Sequence, residues 1–258
     1  MKPDGKLIYV YLVGIWNVVQ AVKFYGGIPV PGRRVPAIRF LEYYLDSCSK
    51  PKDKNSAFDE LNMLLRQVVN EEIAEKTVNN MYFAVDDVNI DHLMGRWVTV
   101  VDSPFLHRQY CAVNYFRLSE KTKYTADFVT HQTSRNSEEV VTYNGFGQKV
   151  GPDPGSVFIH TGNPSDPCPF IPVKVGPSSK KSGQFEYVIL TTPLKTPTVV
   201  LARDARLFQK EYRAEVEDYL KRFNYLNPVT ALNQPLHFLN VSNCNTYQHF
   251  DYDLGMDD

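Results

Sequence analysis

The feature of this sequence that most restricts its fold is a succession of eight short runs of β-forming residues. Turn-forming segments such as NGFGQ, GPDPG and GPSSKKSG separate the runs. Short strands with short connections are typical of antiparallel sandwiches and barrels. The runs span 95–102, 109–118, 123–131, 138–143, 156–161, 170–175, 185–192 and 197–203.

A single helical run, 205–223, follows the last β run. Its apolar residues share one stripe, its charged residues lie elsewhere, and the Asn-Pro pair at 227–228 ends it. The stripe consists of Leu207, Tyr212, Val216, Tyr219, Leu220 and Phe223. We therefore predict a mainly β fold, an eight-stranded antiparallel up-and-down β-barrel followed by a C-terminal α-helix. A barrel of this size has an interior just wide enough for one small ligand.

Charge and motif content argue against several classes of function. The formal net charge is −1 and no long basic run occurs, so a nucleic-acid partner has no electrostatic support. The sequence contains no G-x-S-x-G, no H-E-x-x-H and no phosphate-binding loop, and its histidines are scattered. The acidic segments EVED and DYDLGMDD fit a solvated helix face and a tail better than a calcium site. We expect no enzymatic activity, no metal and no cofactor.

The first 21 residues are predicted to be a secretory signal peptide. Two lysines precede a mostly apolar stretch, 7–19, and the VQA at 19–21 fits a small-x-small cleavage site. The stretch is too short and too interrupted to be a stable membrane span. A buried strand or helix of the mature fold is the alternative. We therefore expect a secreted, extracellular protein, and the glycosylation pattern at Asn240 agrees with that expectation.

Residues 22–90 are predicted to be an N-terminal extension that contains one amphipathic helix. Ser56 can cap this helix, and Asp59 lies beside the positive end of its dipole. The apolar stripe consists of Phe58, Leu61, Leu65 and Val68, widened by Leu64 and Ile73. The predicted polar face consists of Glu71, Glu72, Glu75 and Lys76. The stripe can pack on its own domain, residues 91–258, or on a partner.

Four cysteines are dispersed along the chain. No C-x-x-C pair and no zinc-type spacing occurs among Cys48, Cys111, Cys168 and Cys244. An even, dispersed set suits two long-range disulfides, for which three pairings are possible. Four buried thiols in a cytosolic protein are the alternative, but the predicted signal peptide favours disulfides.

Both ends of the β region resemble the lipocalin family. Gly95-Arg96-Trp97 resembles its G-x-W signature, and the run CAVNYF that begins at Cys111 resembles the second strand of the apolipoprotein D-like lipocalins. The segment from TPTVVLAR to the end of the helical run resembles the lipocalin last strand and helix, including the arginine at Arg203. The likeness covers about residues 91–250. The middle T-D-Y signature is missing and the extension is long, features that resemble the nematode lipocalin-related secreted proteins.

The resemblance implies structural roles for the signature residues. It places Trp97, just after Gly95, as a plug at the closed end of the barrel. It also places the guanidinium of Arg203 against the indole, a cation–π contact of about 1–2 kcal/mol when desolvated. In the apolipoprotein D-like pattern Cys111 points outward and pairs with Cys244. Cys48 would then pair with Cys168 and tie the extension to the loop before the sixth strand.

With Cys111 outward, the alternation of side chains along strands identifies candidates for the barrel interior. On the third strand the inward face lies opposite Lys123 and Asp127, and on the seventh we expect Glu186 to avoid an apolar lumen. The candidates are Ala112, Asn114, Phe116, Tyr124, Ala126, Phe128, Phe185, Tyr187 and Ile189. Such a lining suits a lipid, sterol or retinoid. The alternative is that these side chains fill the barrel.

Taken with the resemblance, these observations predict a secreted carrier that binds and transports a small hydrophobic ligand in the barrel. A second hypothesis is a structural or organising component of the extracellular matrix. It rests on the long extension, the missing middle signature and the 16 tyrosines. In that case the outer surface and the extension would contact a matrix or receptor protein.

Overall fold

The computed structural model describes a single β-barrel with a helix against its outer wall. The described residues are 24–25, 28–29, 48, 70, 72, 88–103, 107, 110–123, 125–136, 139–150, 156–192, 195, 197–226 and 236–241. The strands are β1 Phe24–Tyr25, β2 Ile28–Pro29, β3 Gly95–Asp102, β4 Tyr110–Lys121, β5 Ala126–Asn136, β6 Glu139–Val150, β7 Ser156–His160, β8 Ile171–Val175, β9 Tyr187–Thr191, β10 Thr198–Ala202 and β11 His237–Phe238. The helices are α1 Ile90–Leu93, α2 Ala205–Leu207, a π-helical turn Phe208–Tyr212, and α3 Arg213–Arg222.

Eight strands form one antiparallel sheet in the order β7-β6-β5-β4-β3-β10-β9-β8, and the short β11 pairs with β3. From β3 to β7 and from β8 to β10, strands that are consecutive in the chain are neighbours in the sheet. The first and last strands of the barrel, β3 and β10, pair with each other and join these two groups. The two end strands, β7 and β8, meet only through a bridge between Ile159 and Phe170. The predicted eight-stranded barrel is therefore confirmed as a nearly closed one, with its C-terminal helix.

Strands β5 and β6 are longer than the sequence pattern predicts. The NGFGQ segment, interpreted as a turn, lies inside β6. Its two glycines do not form a turn. They allow neighbouring groups to lie close to the β6 backbone. A Cβ on Gly147 would lie 2.0 Å from Cζ of Phe128, and one on Gly145 would lie 1.9 Å from the carbonyl oxygen of His160. A glycine inside a strand is a common sign of such close approach as well as of a bend.

The helix packs on the outer face of β8, β9 and β10. Val216, Tyr219 and Leu220 of the predicted stripe are buried there, and the Tyr219 hydroxyl donates to the Val173 carbonyl. Phe208, absent from the predicted stripe, is also buried. The π-helical turn that begins at this residue changes the rotation per residue, so the phase of the stripe shifts.

Most predictions about the N-terminal 90 residues lie outside the described residues. This holds for the signal peptide and for most of the amphipathic helix. Two described residues bear on that helix: Asn70 has non-helical backbone, and its side chain accepts a hydrogen bond from the backbone N–H of Glu72, which is helical. The rest of the predicted helix lies outside the described residues, so it stays a prediction.

Candidate functional site

The closed end of the barrel is sealed by Trp97. This side chain is completely buried, and its indole N–H donates to the carbonyl of Leu93 at 2.7 Å. Leu93 ends the short helix α1, which Asn89 caps by accepting from the N–H of Asp91. The indole thus holds α1 across the barrel end, and the polar atom of a buried tryptophan has its partner.

Arg203 lies directly on the Trp97 ring. Its Cζ is 3.6 Å from the ring centroid, a close cation–π contact. Burial lowers the pKa of Arg203 to about 10, although the negative charge of Glu186 acts to raise that pKa. The guanidinium therefore remains charged at neutral pH. Its N–H groups donate to the carbonyls of Phe185, Arg96, His92 and Met94 at 2.6–3.2 Å.

Gly95 is required at this end for two reasons. Its φ is +98°, a conformation that a residue with a Cβ rarely adopts, and a Cβ there would lie 3.1 Å from Nη1 of Arg203. The three signature residues Gly95, Trp97 and Arg203 therefore meet in one structural cluster, and none of them faces the open end of the barrel.

The barrel wall presents an apolar interior above this floor. Four predicted interior residues, Phe116, Ala126, Phe128 and Phe185, belong to its buried cluster, and the rings of Phe116 and Phe128 pack 5.8 Å apart. Asn114 lines the cavity, Ala112 is buried, and Tyr124 lies outside the described residues. The other members are Val88, Ile90, Leu93, Trp97, Val157, Ile159, Phe170, Val188, Leu190, Val199 and Leu201.

The predictions for Tyr187 and Ile189 are wrong. Both are buried outside the barrel, beneath the C-terminal helix, and the Tyr187 hydroxyl donates to Glu215 at 2.8 Å. The chain bends at Glu186, so Phe185 faces inward while β9 starts with Tyr187 outward. Both faces of β9 are apolar because one lines the interior and the other carries the helix, so Glu186 could not identify the inner face.

A small cavity lies inside the barrel. Its volume is about 20 Å³, room for one or two water molecules. A polar chain crosses one side of it: the Gln132 amide donates to Asn114 at 3.1 Å, and the Asn114 amide donates to Thr99 at 3.2 Å. Oε1 of Gln132 is buried and has no hydrogen-bond partner within the described part of the chain. The cavity therefore offers an apolar wall and a free acceptor.

Three charged side chains, Asp102, His107 and Asp166, form a cluster at the open end of the barrel, which we call the charged clasp. Nδ1 of His107 lies 2.6 Å from Asp102 and Nε2 lies 2.7 Å from Asp166, while the Thr161 hydroxyl donates to the other Asp166 oxygen. Burial alone would lower the pKa of His107. The charge of Asp166 and the hydrogen bonds to both carboxylates outweigh it and hold that pKa well above its ordinary value. The clasp joins the β3–β4 connection to the β7–β8 connection at the cavity rim.

Comparison with known proteins agrees with this architecture. The family model described as the lipocalin domain matches residues 77–252. The chain belongs to the lipocalin family. Lipocalins are generally binding and transport proteins rather than enzymes, and this lipocalin has the small-ligand-binding barrel of the family. No curated protein matches the chain.

This lipocalin contains a disulfide between Cys48 and Cys168, the pairing that the resemblance implied. The bridge ties the N-terminal extension to the connection before β8. The Cys111 side chain and Cys244 lie outside the described residues, so their pairing stays a prediction. Asn240 is exposed, as a glycosylation acceptor must be. None of the described helices is long and apolar enough to cross a membrane.

The clasp predicts a specific pH dependence of the lipocalin's stability. Because the pKa of His107 is raised on folding, its stabilisation is complete below the unfolded pKa of about 6.5 and is lost as pH rises through the folded value. We expect the difference in free energy of unfolding between the wild type and His107→Gln to shrink as pH rises from about 6.5 to 9. Urea unfolding at each pH measures this. A difference that is constant or grows with pH would contradict the protonated clasp.

Proposed function

We propose that this lipocalin is a secreted carrier of a small hydrophobic ligand, which it binds inside the barrel. The observation that carries the proposal is the arrangement of the interior: a sealed floor at Trp97, an apolar wall, and a polar chain that ends in the unpartnered acceptor of Gln132. Pockets that are mostly apolar and hold a few oriented polar groups are typical of small-molecule sites. The Cys48–Cys168 disulfide supports secretion.

The size of the cavity restricts the ligand class. A volume of about 20 Å³ admits no lipid unless side chains move. Each buried methylene contributes about 0.8 kcal/mol, which must exceed the cost of that movement. Phe116 lines the cavity, so displacement of its ring would enlarge the space available to a ligand. A slender acyl chain requires less displacement than a rigid sterol or retinoid ring, so we favour a chain-like ligand.

The polar groups favour a neutral head group on that chain. The clasp sets two carboxylates against a single imidazolium, so it repels a ligand carboxylate. Gln132 presents an acceptor, which requires a donor from the ligand. An alcohol or an amide satisfies both conditions, whereas a fatty acid anion satisfies neither.

Competition binding tests the carrier role and the head-group preference together. Delipidated protein is titrated with a fluorescent lipophilic probe, and the bound probe is then displaced by a long-chain alcohol or by the fatty acid of equal chain length. We expect saturable 1:1 binding and tighter competition by the alcohol. Folded protein that binds no probe would exclude the carrier role, whereas equal competition by both would exclude only the head-group preference.

A matrix-organising role remains our second proposal, supported by an apolar patch on the outer face. Val129 and Phe146 are a cross-strand pair on β5 and β6, 38% and 48% exposed, and the Phe146 ring stacks on His160 at 4.4 Å. Large exposed apolar groups in contact favour a protein interface. Phe146→Ser would abolish incorporation into an extracellular matrix without changing probe binding if this patch is used. Unchanged incorporation would contradict the role.

A further inference from the structure

Two side chains of β5 carry buried polar atoms that have no hydrogen-bond partner within the described part of the chain. These atoms are Oε1 of Gln132 and Oγ of Ser134. Ser134 is completely buried. Most buried polar atoms in folded proteins have a partner, so an exception requires an explanation. A ligand that supplies the missing partner is one such explanation when both atoms face the same space.

Both side chains face the barrel interior. The β5–β6 ladder is continuous from Ala126 to Asn136, so side chains alternate without interruption along β5. Phe128 belongs to the interior cluster and Gln132 lines the cavity. Ser134 lies on the same strand face as these two residues. Since β5 runs in the same direction as β3, from the closed end to the open end, Ser134 is two residues nearer the open end than Gln132.

The neighbouring strands explain why the Ser134 hydroxyl has no partner. On one side Ser134 pairs with Val141 of β6, whose side chain is a hydrocarbon. On the other side the register of β4 and β5 shifts between Tyr110 and Val113, so that two residues of β4 lie opposite the single residue Ser134. Such β-bulges are frequent at barrel rims and beside active sites, where they change the direction of a side chain. The hydroxyl is therefore left for a group inside the barrel.

The spacing of Gln132 and Ser134 suits two ligand groups rather than one. Their Cα atoms are about 6.8 Å apart at about 3.4 Å per residue. The Gln132 amide leans sideways to β4, where it donates to Asn114 at 3.1 Å, and not along β5 to Ser134. A single hydroxyl group can bridge two oxygens that are at most about 5.6 Å apart. Two hydroxyl groups on adjacent carbon atoms span a longer distance.

We propose that Gln132 and Ser134 bind the two hydroxyl groups of a vicinal diol at the head of the ligand chain. This proposal rests on the proposed carrier function and specifies the head group of the ligand. One hydroxyl group donates to Oε1 of Gln132, and the other pairs with Oγ of Ser134, which can donate or accept. The chain then points to Phe128 and to the floor at Trp97, and the head lies beneath the clasp. A diol is neutral, so the carboxylates of the clasp do not repel it.

Ser134 is thereby a specificity-determining residue. A buried hydroxyl group without a partner weakens binding, whereas a paired one strengthens it. A barrel that contains Ser134 should therefore accept the second hydroxyl group, and a barrel that lacks it should disfavour the diol. A simple alcohol of the same chain length leaves Ser134 unpartnered, so its affinity reports on Gln132 and on burial of the chain.

Competition between two ligands of equal chain length tests the second contact. The fluorescent lipophilic probe is displaced from delipidated protein by dodecanol or by the vicinal diol of the same chain. We expect the wild type to bind the diol about three- to tenfold more tightly than the alcohol. In Ser134→Ala the order should reverse, because the second hydroxyl group then has no partner. Thr133→Val, a buried neighbour on the opposite face of β5, is the control and should keep the wild-type order.

The stability of Ser134→Ala separates ligand recognition from a structural role. The substitution removes an unpartnered hydroxyl group, so the free energy of unfolding should stay the same or rise. A marked loss of stability would show that the hydroxyl group has a partner in the protein and would overturn the proposal. Equal affinity of the wild type for the diol and the alcohol, or an unchanged preference in Ser134→Ala, would also overturn it. Protein that binds neither ligand would exclude the carrier role itself and this site with it.

Discussion

Replacing Arg203 with methionine is expected to lower the free energy of unfolding by about 3–5 kcal/mol, because several charge-assisted hydrogen bonds disappear at once. The guanidinium donates to four backbone carbonyls, two of them flanking the end of α1, and lies 3.6 Å above the Trp97 ring. Methionine fills similar space but donates to none of these carbonyls, and of the four those of His92 and Met94 keep a second donor, the Phe185 N–H and the Gln184 amide. Chemical denaturation followed by tryptophan fluorescence measures the loss.

Arg213 provides a matched control for this experiment. Its guanidinium also lies over an aromatic ring, 4.7 Å from that of Phe238, but it is exposed on α3 and donates to Gln209. Arg213→Met should cost no more than about 1 kcal/mol. Arg203→Lys keeps the charge but lacks the planar fork, so it should recover only a minor part of the loss. Equal effects of the two methionine variants would contradict the structural role of Arg203.

Phe116→Ala is expected to lower the free energy of unfolding by about 3–5 kcal/mol and, at the same time, to strengthen binding of lipophilic probes by about tenfold. Phe116 is buried in the interior cluster and lines the existing cavity, so its removal enlarges the space available to a ligand. Because a ligand that binds only the folded state stabilises it, excess probe should restore part of the lost stability. Denaturation with and without probe measures both effects.

Ile189→Ala is the control for that gain. Ile189 is completely buried, but its side chain lies beneath the helix on the outer side of β9. Its truncation should cost about 2–5 kcal/mol without improving probe binding. A gain in affinity from Ile189→Ala, or none from Phe116→Ala, would contradict the assignment of the ligand site to the barrel interior.

The fold was largely predictable because β-strands and turns leave local patterns. The bounds of β3 match the predicted run, and the eight strands occur in the predicted order. The errors arise where a residue type has two uses. Gly145 and Gly147 were interpreted as turn residues, yet they allow β6 to approach His160 and Phe128. The π-helical turn at Phe208 could not be predicted, because the sequence pattern was compared only with the period of an α-helix.

The site was predictable only in part, for reasons of chain distance and symmetry. Trp97 and Arg203 were assigned through the resemblance to lipocalins, since no local pattern relates residues so far apart. Tyr187 and Ile189 were misplaced because both faces of β9 are apolar. His107 drew no prediction at all: it follows Asp102, the last residue of β3, but Asp166 lies in the β7–β8 connection, and only the closure of the barrel brings Asp166 to it.

Isoleucine methyl NMR tests the central claim, ligand binding inside the barrel, most directly. Ile159 lies in the interior cluster and Ile189 in the outer one, so the same probe type reports on both sides of the wall. With a long-chain alcohol bound, we predict nuclear Overhauser contacts from its chain to the Ile159 methyl group and none to that of Ile189. Contacts to Ile189 alone, or ligand signals that touch neither residue, would show that the barrel interior is not the binding site.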